Sequence, residues 1–402
     1  MNIGMVLHTF YPPDIRVDKE MRMLSEAGHR LFLLCRGRER VGDEHREDGI
    51  TVRYLRFPKN FAFRALNSAR FYLTFRSLFW ERECARFVRD FQLNALHVHD
   101  LPLVGSTYAV AKRFGLPVVA DLHENYPEAL QVWYGSSLRK ATLNSKERWL
   151  RYEKDICLRV SRVLVVVEES KEYLIKRGIP ASKILVIPNV TSPEFAQMPL
   201  DQRILGRYRD HFIISYIGGF GPHRGIDIAI RAMRPLKALV PSARLLLVGS
   251  GQEGYVKELY QLVEKMGVQD TVEFTGWRPF AEVPSYIQAS DVCLVPHNPS
   301  EQTDASAPHK LFQYWMLGKP VIVSSCRSLQ RIVSLAQGGL VFEAGNPQSL
   351  AQTIARLHEN PSLRHVLGEN GQQMVLSGEY SWQQTAARLN ALYRELERER
   401  IS

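Results

Sequence analysis

The sequence predicts an α/β protein of two similar halves, each a mostly parallel sheet covered by helices. Three observations predict it. The chain has 402 residues, more than a single hydrophobic core usually organises. Short β-branched runs, apolar on both faces, alternate with longer amphipathic stretches, the pattern of strands buried between helices. The series then starts afresh near residue 210.

The first half offers strands at 3–7, 31–35, 95–98, 117–120, 163–167 and 184–187, with a helix at 18–27. The second offers strands at 212–217, 244–248, 271–274, 292–295 and 321–323, with a helix at 226–239. Repeated strand–helix–strand units of this kind build Rossmann-like domains. The expected division is a first domain over 1–190, a linker over 191–209 carrying Pro193 and Pro199, and a second domain over 210–378. The last segment, 379–402, is expected to be a helix that packs back on the first domain.

Composition narrows the class. Hydrophobic residues make up 45% and charged residues 23%, ordinary for a globular protein. No apolar run is long enough to span a bilayer, and the N-terminus lacks the features of a signal peptide. The five cysteines, Cys35, Cys84, Cys157, Cys293 and Cys326, are scattered without a CxxC pair. That pattern predicts neither disulfides nor a zinc site and fits a cytoplasmic setting. The net charge is +10, and residues 1–199 hold 31 Lys/Arg against 23 Asp/Glu, which favours an anionic partner. Segment 59–89 mixes Phe61, Phe63, Phe71, Phe75, Phe79 and Trp80 with Lys59, Arg64, Arg70, Arg76, Arg82 and Arg86. Such a mixture suits a helix on an anionic membrane surface at the inner membrane face, or a helix packed into its own domain. No nucleic-acid-binding module is present, so nucleic acid is not expected as a partner.

Parallel sheets bind ligands beyond the carboxyl ends of their strands. In the first half that rule selects Asp14, Arg16, His99, Asp100, His123 and Glu124, which would line one edge. Each alone could be a cap or turn former; the set favours a site. His97 and His99 point the same way from one strand, but no metalloenzyme register supports them and no metal is expected. In the second half the rule selects the glycine loops Gly218-Gly219-Phe-Gly-Pro-His-Arg224 and Gly249-Ser-Gly251. Glycines allow the close backbone approach that a phosphate cradle needs. Residues 305–323 read as a loop, a short helix started by Pro308 and stopped by Gly318, and a buried strand. That helix start would be an anion site, with His309 and Lys310 beside it and Gln313 one turn on.

The stretch PHKLFQYWMLGKPVI resembles the PxKLFEYMxxGxPVI signature of family-4 retaining glycosyltransferases of the GT-B fold. YPPDIRVDKEMRMLSEAGH, DLHENYPE, ILVIPNV, YIGGFGPHRGIDIAIRAM, LLLVGSG, VEFTGW and ASDVCLVP follow the family's order across nearly the whole chain. The resemblance implies two Rossmann-like domains facing across a cleft, and transfer of a sugar from a nucleotide diphosphate sugar to a glycan, glycolipid or other hydroxyl acceptor. It implies no cofactor beyond that co-substrate. By resemblance, Arg224 and Lys310 neutralise the diphosphate, with His309 and the backbone of Ser306, Ala307 and Pro308 beside them. Gly218, Gly219 and Gly249 form the phosphate loops, Gln313 holds the ribose, and Trp277 and Arg278 hold the base. His123 stands at the transferred sugar, with Asp14, Arg16, His99, Asp100 and Glu124 on the sugar or acceptor side. Several departures mark this chain: Ala305 and Gln313 replace the family's paired glutamates, Gly219 stands where many members have an arginine, and the opening loop has Asp14-Ile-Arg16 in place of the usual Gly-Gly. They keep two alternatives in view, a non-catalytic partner subunit and a sugar-nucleotide epimerase.

Overall fold

The computed structural model describes residues 1–133 and 145–401. They form two compact units, one of Met1–Pro188 with the residues from Ala386 onward, the other of Asn189–Thr385.

The first unit holds β1 (Asn2–Phe10), β2 (Arg30–Arg36), β3 (Gly42–His45), β4 (Thr51–Leu55), β5 (Ala95–His99), β6 (Val118–Leu122), β7 (Arg162–Val165) and β8 (Ile184–Val186). Their order across the sheet is β3-β4-β2-β1-β5-β6-β7-β8. Every pair is parallel except β3 with β4. Strands β5 and β6 are buried at every position, as a sheet covered on both faces requires. The edge pair β3–β4 is absent from the sequence expectation. β3 reads Gly-Asp-Glu-His and is mostly exposed, so it carries no apolar run to announce it. The direction of strand succession reverses between β1 and β5, which makes their carboxyl ends the place for a ligand.

The second unit holds β9 (Phe212–Ile217), β10 (Ala243–Val248), β11 (Val272–Gly276), β12 (Val292–Val295), β13 (Val321–Ser324) and β14 (Gly339–Phe342). They run β11-β10-β9-β12-β13-β14, all in parallel. Here the reversal falls between β9 and β12. Residues 191–209 are more than a linker. They carry a 3-10 turn, Pro193–Gln197, and a helix, Gln202–Arg207. Phe195 is buried and stacks near Phe280 with ring centroids 5.7 Å apart, and the Asp201 N–H donates to the Ser285 hydroxyl at 2.8 Å. A buried aromatic ring and a satisfied N–H tie this stretch to the second unit.

The last helix, Trp382–Ile401, contributes its residues from Ala386 onward to the first unit. Leu389, Leu392, Tyr393 and Leu396 are buried, and Arg162 pairs with Glu395 and Glu399 at 2.7 and 2.6 Å. Segment 59–89 splits into helices Phe61–Thr74 and Leu78–Asp90. The second buries Phe79, Trp80 and Phe87 in the core. The first is exposed along most of its length and is anchored by buried Asn67. The Asn67 side-chain carbonyl accepts from the Ser77 hydroxyl at 2.9 Å and from the Phe79 N–H at 3.0 Å. Phe61 and Leu73 on that helix are 84% and 76% exposed. Among the described residues, no helix is long and apolar enough to cross a membrane.

Candidate active site

In the first unit the carboxyl edge gathers polar residues at the strand reversal. Asp14 caps the helix Ile15–Glu26, accepting from the Arg16 N–H at 3.1 Å, a standard use of aspartate at a helix start. The Arg16 guanidinium meets Asp14 at 2.8 Å and Asp100 at 3.8 Å. Burial would raise the Asp14 carboxyl, but Arg16 outweighs it and holds the group down to about 2. Asp100 follows β5 with a φ of 65°, a conformation that costs a non-glycine residue about 1 kcal/mol or more. Its N–H donates to the Asp121 carbonyl at 2.9 Å. Glu124, two residues beyond β6, adds its negative charge to those that raise Arg16.

Behind this edge lies a buried cluster. β6 extends to Leu122, so Asp121 is a strand residue in register with His99. One Asp121 oxygen, Oδ2, stands 2.6 Å from His123 Nε2, 2.9 Å from His99 Nδ1 and 3.4 Å from His97 Nε2. Glu20, from the first helix, stands 3.3 Å from His97 Nε2. The Tyr393 hydroxyl, from the last helix, stands 2.8 Å from His97 Nδ1. Burial would raise Asp121, yet His123 and the other rings hold it well below the usual carboxylate range. Burial would lower His123, yet Asp121 raises it; His99 is lowered, chiefly by burial.

In the second unit, the loop after β9 lies beside the loop after β10. The Gly218 N–H donates to the Val248 carbonyl and the Phe220 N–H to the Ser250 carbonyl, both at 2.8 Å. Gly249 has φ 142°, and a Cβ there would stand 2.0 Å from the Gly218 carbonyl oxygen. Only glycine lets the two loops come this close. The loop continues through Gly219 into the turn Pro222–Arg224.

Facing these loops is the helix His309–Met316, which begins at Pro308 with no side-chain cap, so its first N–H groups stay available to an anion. Its approach is fixed. The Ala307 carbonyl accepts from Asn189 at 3.0 Å, and the Ser306 carbonyl accepts from the Ser328 hydroxyl at 2.6 Å. The Tyr314 hydroxyl accepts from the Ile217 N–H at 2.9 Å, which binds the helix to the end of β9. Lys310 and Gln313 are both buried. The Lys310 ammonium lies 3.3 Å from the centroid of the Tyr216 ring and has no hydrogen-bond acceptor. Burial, with Arg224 adding to it, pushes its pKa well below the normal lysine value. Burial, with Arg224 and Lys310 adding to it, lowers His223 to about 4 and holds His297 well below the ordinary histidine value. Trp277 and Arg278 follow β11, with the Trp277 ring 72% exposed.

Residues 15–190 match the family description "Glycosyl transferase 4-like domain", and residues 197–374 match "Glycosyl transferases group 1". The two matches fall one on each unit. Each half of the chain thus matches a glycosyltransferase family model, and the fold is GT-B. The lipopolysaccharide core biosynthesis glycosyltransferase LpsD of Rhizobium meliloti is 30% identical over 192 residues, 48% of this chain and 52% of LpsD. The chain thus spans about half the length of this curated relative. Among solved structures, sucrose-phosphate synthase from Thermosynechococcus elongatus superposes with a TM-score of 0.77 at 20% identity, over 99% of this chain and 100% of that one. Anabaena HepE in complex with UDP-glucose gives 0.76 at 16% identity, over 98% and 100%.

Sequence reasoning names His123, His99, Arg224 and Lys310 but not four groups that the structure places beside them, Asp121, Glu20, Tyr393 and His297. Asp121 looks like a loop residue because the apolar run stops at Ala120. Glu20 sits on a helix face, and Tyr393 lies near the other end of the chain. His297 follows β12, the other strand at the reversal, and that position was the available signal. Glu20, His97, His99 and Asp121 each present a ligand-type atom within 4.8 Å of one another, a composition that suits a metal. Within this group His99 Nδ1 hydrogen-bonds Asp121, which calls for an N–H there, while His97 Nε2, His99 Nε2 and one Glu20 oxygen have no hydrogen-bond partner.

Proposed function

We propose that the protein transfers a sugar, with retention of configuration, from a nucleotide diphosphate sugar to a hydroxyl of a glycan or lipid-linked acceptor. The observation that carries this reading is the Arg224–Lys310 pair beside a glycine-built loop and an uncapped helix start. In the reaction the bond from the anomeric carbon to the diphosphate oxygen breaks, and negative charge grows on the leaving diphosphate. Cations and N–H groups already fixed in place stabilise that charge without reorganising. The acceptor oxygen bonds to the anomeric carbon on the face the diphosphate leaves, and its proton passes to a departing phosphate oxygen. Protein side chains thus supply the neutralising charge, so we propose a metal-independent reaction with no cofactor.

In this reading Gly218, Gly219, Gly249 and the Ser306–His309 backbone surround the diphosphate. Gln313 takes the ribose, and Trp277 with Arg278 takes the base. His123, Asp14, Arg16, His99, Asp100 and Glu124 serve the sugar and acceptor. The UDP-glucose complex of HepE makes UDP-sugars the first donors to try, and the description of LpsD supports a lipopolysaccharide-like acceptor. The exposed face of the helix Phe61–Thr74, with Phe61 and Leu73 outward, supports peripheral docking on an anionic membrane from the cytoplasmic side. Basic residues would add to the apolar contact there.

The test is a thermal-shift screen of nucleotide sugars, followed by transfer and hydrolysis assays with the best binder. Arg224→Ala is expected to keep the fold and lose turnover. A protein that binds no nucleotide sugar would refute the reading and favour a non-catalytic partner subunit. For the membrane, co-sedimentation with vesicles containing phosphatidylglycerol at low salt is expected, and a Phe61→Ser/Leu73→Ser variant should lose it. Wild-type protein that stays in the supernatant would sink that part.

A further inference from the structure

We propose that Asp121, His97 and Tyr393 are positioning residues that fix which nitrogen of His123 carries a proton and which one meets the substrate. The inference rests on the reading of His123 as the group at the transferred sugar.

The argument is a proton count. A carboxylate only accepts hydrogen bonds. His123 Nε2 and His99 Nδ1 both lie within 3 Å of Asp121 Oδ2, so each carries its proton there. His97 Nε2 makes no hydrogen bond, but two carboxylate oxygens stand near it, Glu20 at 3.3 Å and Asp121 at 3.4 Å, and their negative charge favours a proton on that nitrogen. The other nitrogen of a neutral His97, Nδ1, is then a lone pair, and the Tyr393 hydroxyl at 2.8 Å donates to it. On this count the Tyr393 hydroxyl donates to His97, the opposite His97 nitrogen turns its proton towards Glu20 and Asp121, and His123 donates to Asp121. His123 Nδ1 is left without a partner although it is buried. In the neutral ring it is an acceptor; in the cation it is a donor. The charged groups that face His123 are Asp121, Asp100 and Arg16, with Asp14 and His99 nearby. Burial opposes the cation, and Asp121 outweighs it. The arrangement gives the last helix a second task beside packing: Tyr393 favours one His97 tautomer, and His97 in turn adds to the field on Asp121, which fixes the tautomer of His123.

The decisive measurement is long-range proton–nitrogen NMR of the histidine rings in the full chain, with His123 assigned through His123→Gln. Wild type is expected to show His123 protonated at Nε2 at high pH, with Nδ1 titrating. Asp121→Asn is expected to mix the His123 tautomers and lower its pKa by about one unit or more. Tyr393→Phe, which removes one oxygen, is expected to redistribute the His97 tautomers and shift His123 by less. A wild-type His123 protonated at Nδ1 alone, or an unchanged His97 in Tyr393→Phe, would overturn the proposal. So would a stoichiometric metal found by elemental analysis and lost in Glu20→Gln, since lone pairs would then face the centre. In turnover, Asp121→Asn should lower kcat about 100-fold with the KM for the donor and the affinity for UDP within about twofold. An equal loss of UDP affinity would mark a general structural role and count against the proposal. Wild-type protein with no transfer activity would overturn the functional reading while the ring tautomers still decide the relay.

Discussion

Replacing Lys310 by Met should weaken nucleotide binding and leave the empty protein at least as stable. The two effects have one cause. In the unliganded structure the Lys310 ammonium is buried, lacks an acceptor and lies over the Tyr216 ring. Burial, helped by Arg224, already lowers its pKa well below normal. Met keeps the stem and removes the charge, so the variant should match wild type or gain about 1 kcal/mol. A diphosphate reverses the balance. A unit charge pair about 4 Å apart at an effective dielectric of about 20 is worth ~4 kcal/mol. After desolvation, a loss of ~2–4 kcal/mol is expected, or about 30- to 1000-fold in the Kd for UDP. The diphosphate should also raise the pKa of Lys310 back towards its ordinary value, so binding is expected to bring net proton uptake. Isothermal titration with UDP in two buffers of different ionisation enthalpy measures affinity and proton uptake together, and urea unfolding measures stability. A Met variant that binds UDP as tightly as wild type would refute the reasoning. So would one that is less stable by more than about 1 kcal/mol.

Three further outcomes are expected. Gly249→Ala places a Cβ 2.0 Å from the Gly218 carbonyl oxygen at a φ of 142°, and should cost about 2–4 kcal/mol; UDP titration should show binding lost even where circular dichroism shows a folded chain. Asp14→Asn keeps a good helix cap and removes the charge that Arg16 holds down to about 2. Because that folded value lies below the unfolded one, its stability is present above about pH 4 and lost towards pH 2. Unfolding free energies from urea titration should therefore differ by about 2 kcal/mol at pH 7 and converge in acid. Arg162→Ala removes the pairs to Glu395 and Glu399, whose carboxylates are half-exposed, and should cost no more than about 1 kcal/mol by the same urea assay.

How much of this was legible in the sequence depends on what carried the signal. Central strands such as β5, β6 and β9 are apolar on both faces, so their runs stand out in the text of the chain. β3 is polar and β14 short, and each is a strand because a neighbour offers it a ladder, which no local pattern records. The same contrast holds at the site. Lys310 and Arg224 sit in motifs that end a strand or start a helix, and a rule about sheet edges finds them. Tyr393 and Glu20 reach the histidines from helices whose own patterns show only an inward face. Asp121 was hidden by a boundary: a strand two residues longer than its apolar run changes a presumed turn former into the centre of a buried network. The aromatic segment 59–89 looked uniform but divides at Phe75, because Asn67 and Ser77 turn the second helix inward and leave the first outside.

The electrostatics of the two units differ in a way that bears on which of them takes the diphosphate. In the first unit every strong charge at the strand reversal has an opposite at hand: Arg16 has Asp14 and Asp100, and Asp121 has three imidazole rings. Such a site is satisfied when empty, and it can offer directed hydrogen bonds to a neutral sugar without attracting a multiply charged ligand. In the second unit Lys310 has no acceptor, and Arg224 helps to lower Lys310, His223 and His297. A buried ammonium without a counter-ion is costly and persists where a ligand is to complete it. Two negative charges would do so and would let the lowered groups regain their protons. The loss of the family's paired glutamates fits the same picture, since Ala305 and Gln313 leave the helix start with no carboxylate of its own to repel the diphosphate. On this argument Ala305 and Gln313 bear on the recognition of sugar and ribose hydroxyls, while Gly219, which stands where many members have an arginine, leaves Arg224 and Lys310 to carry the charge on the diphosphate side.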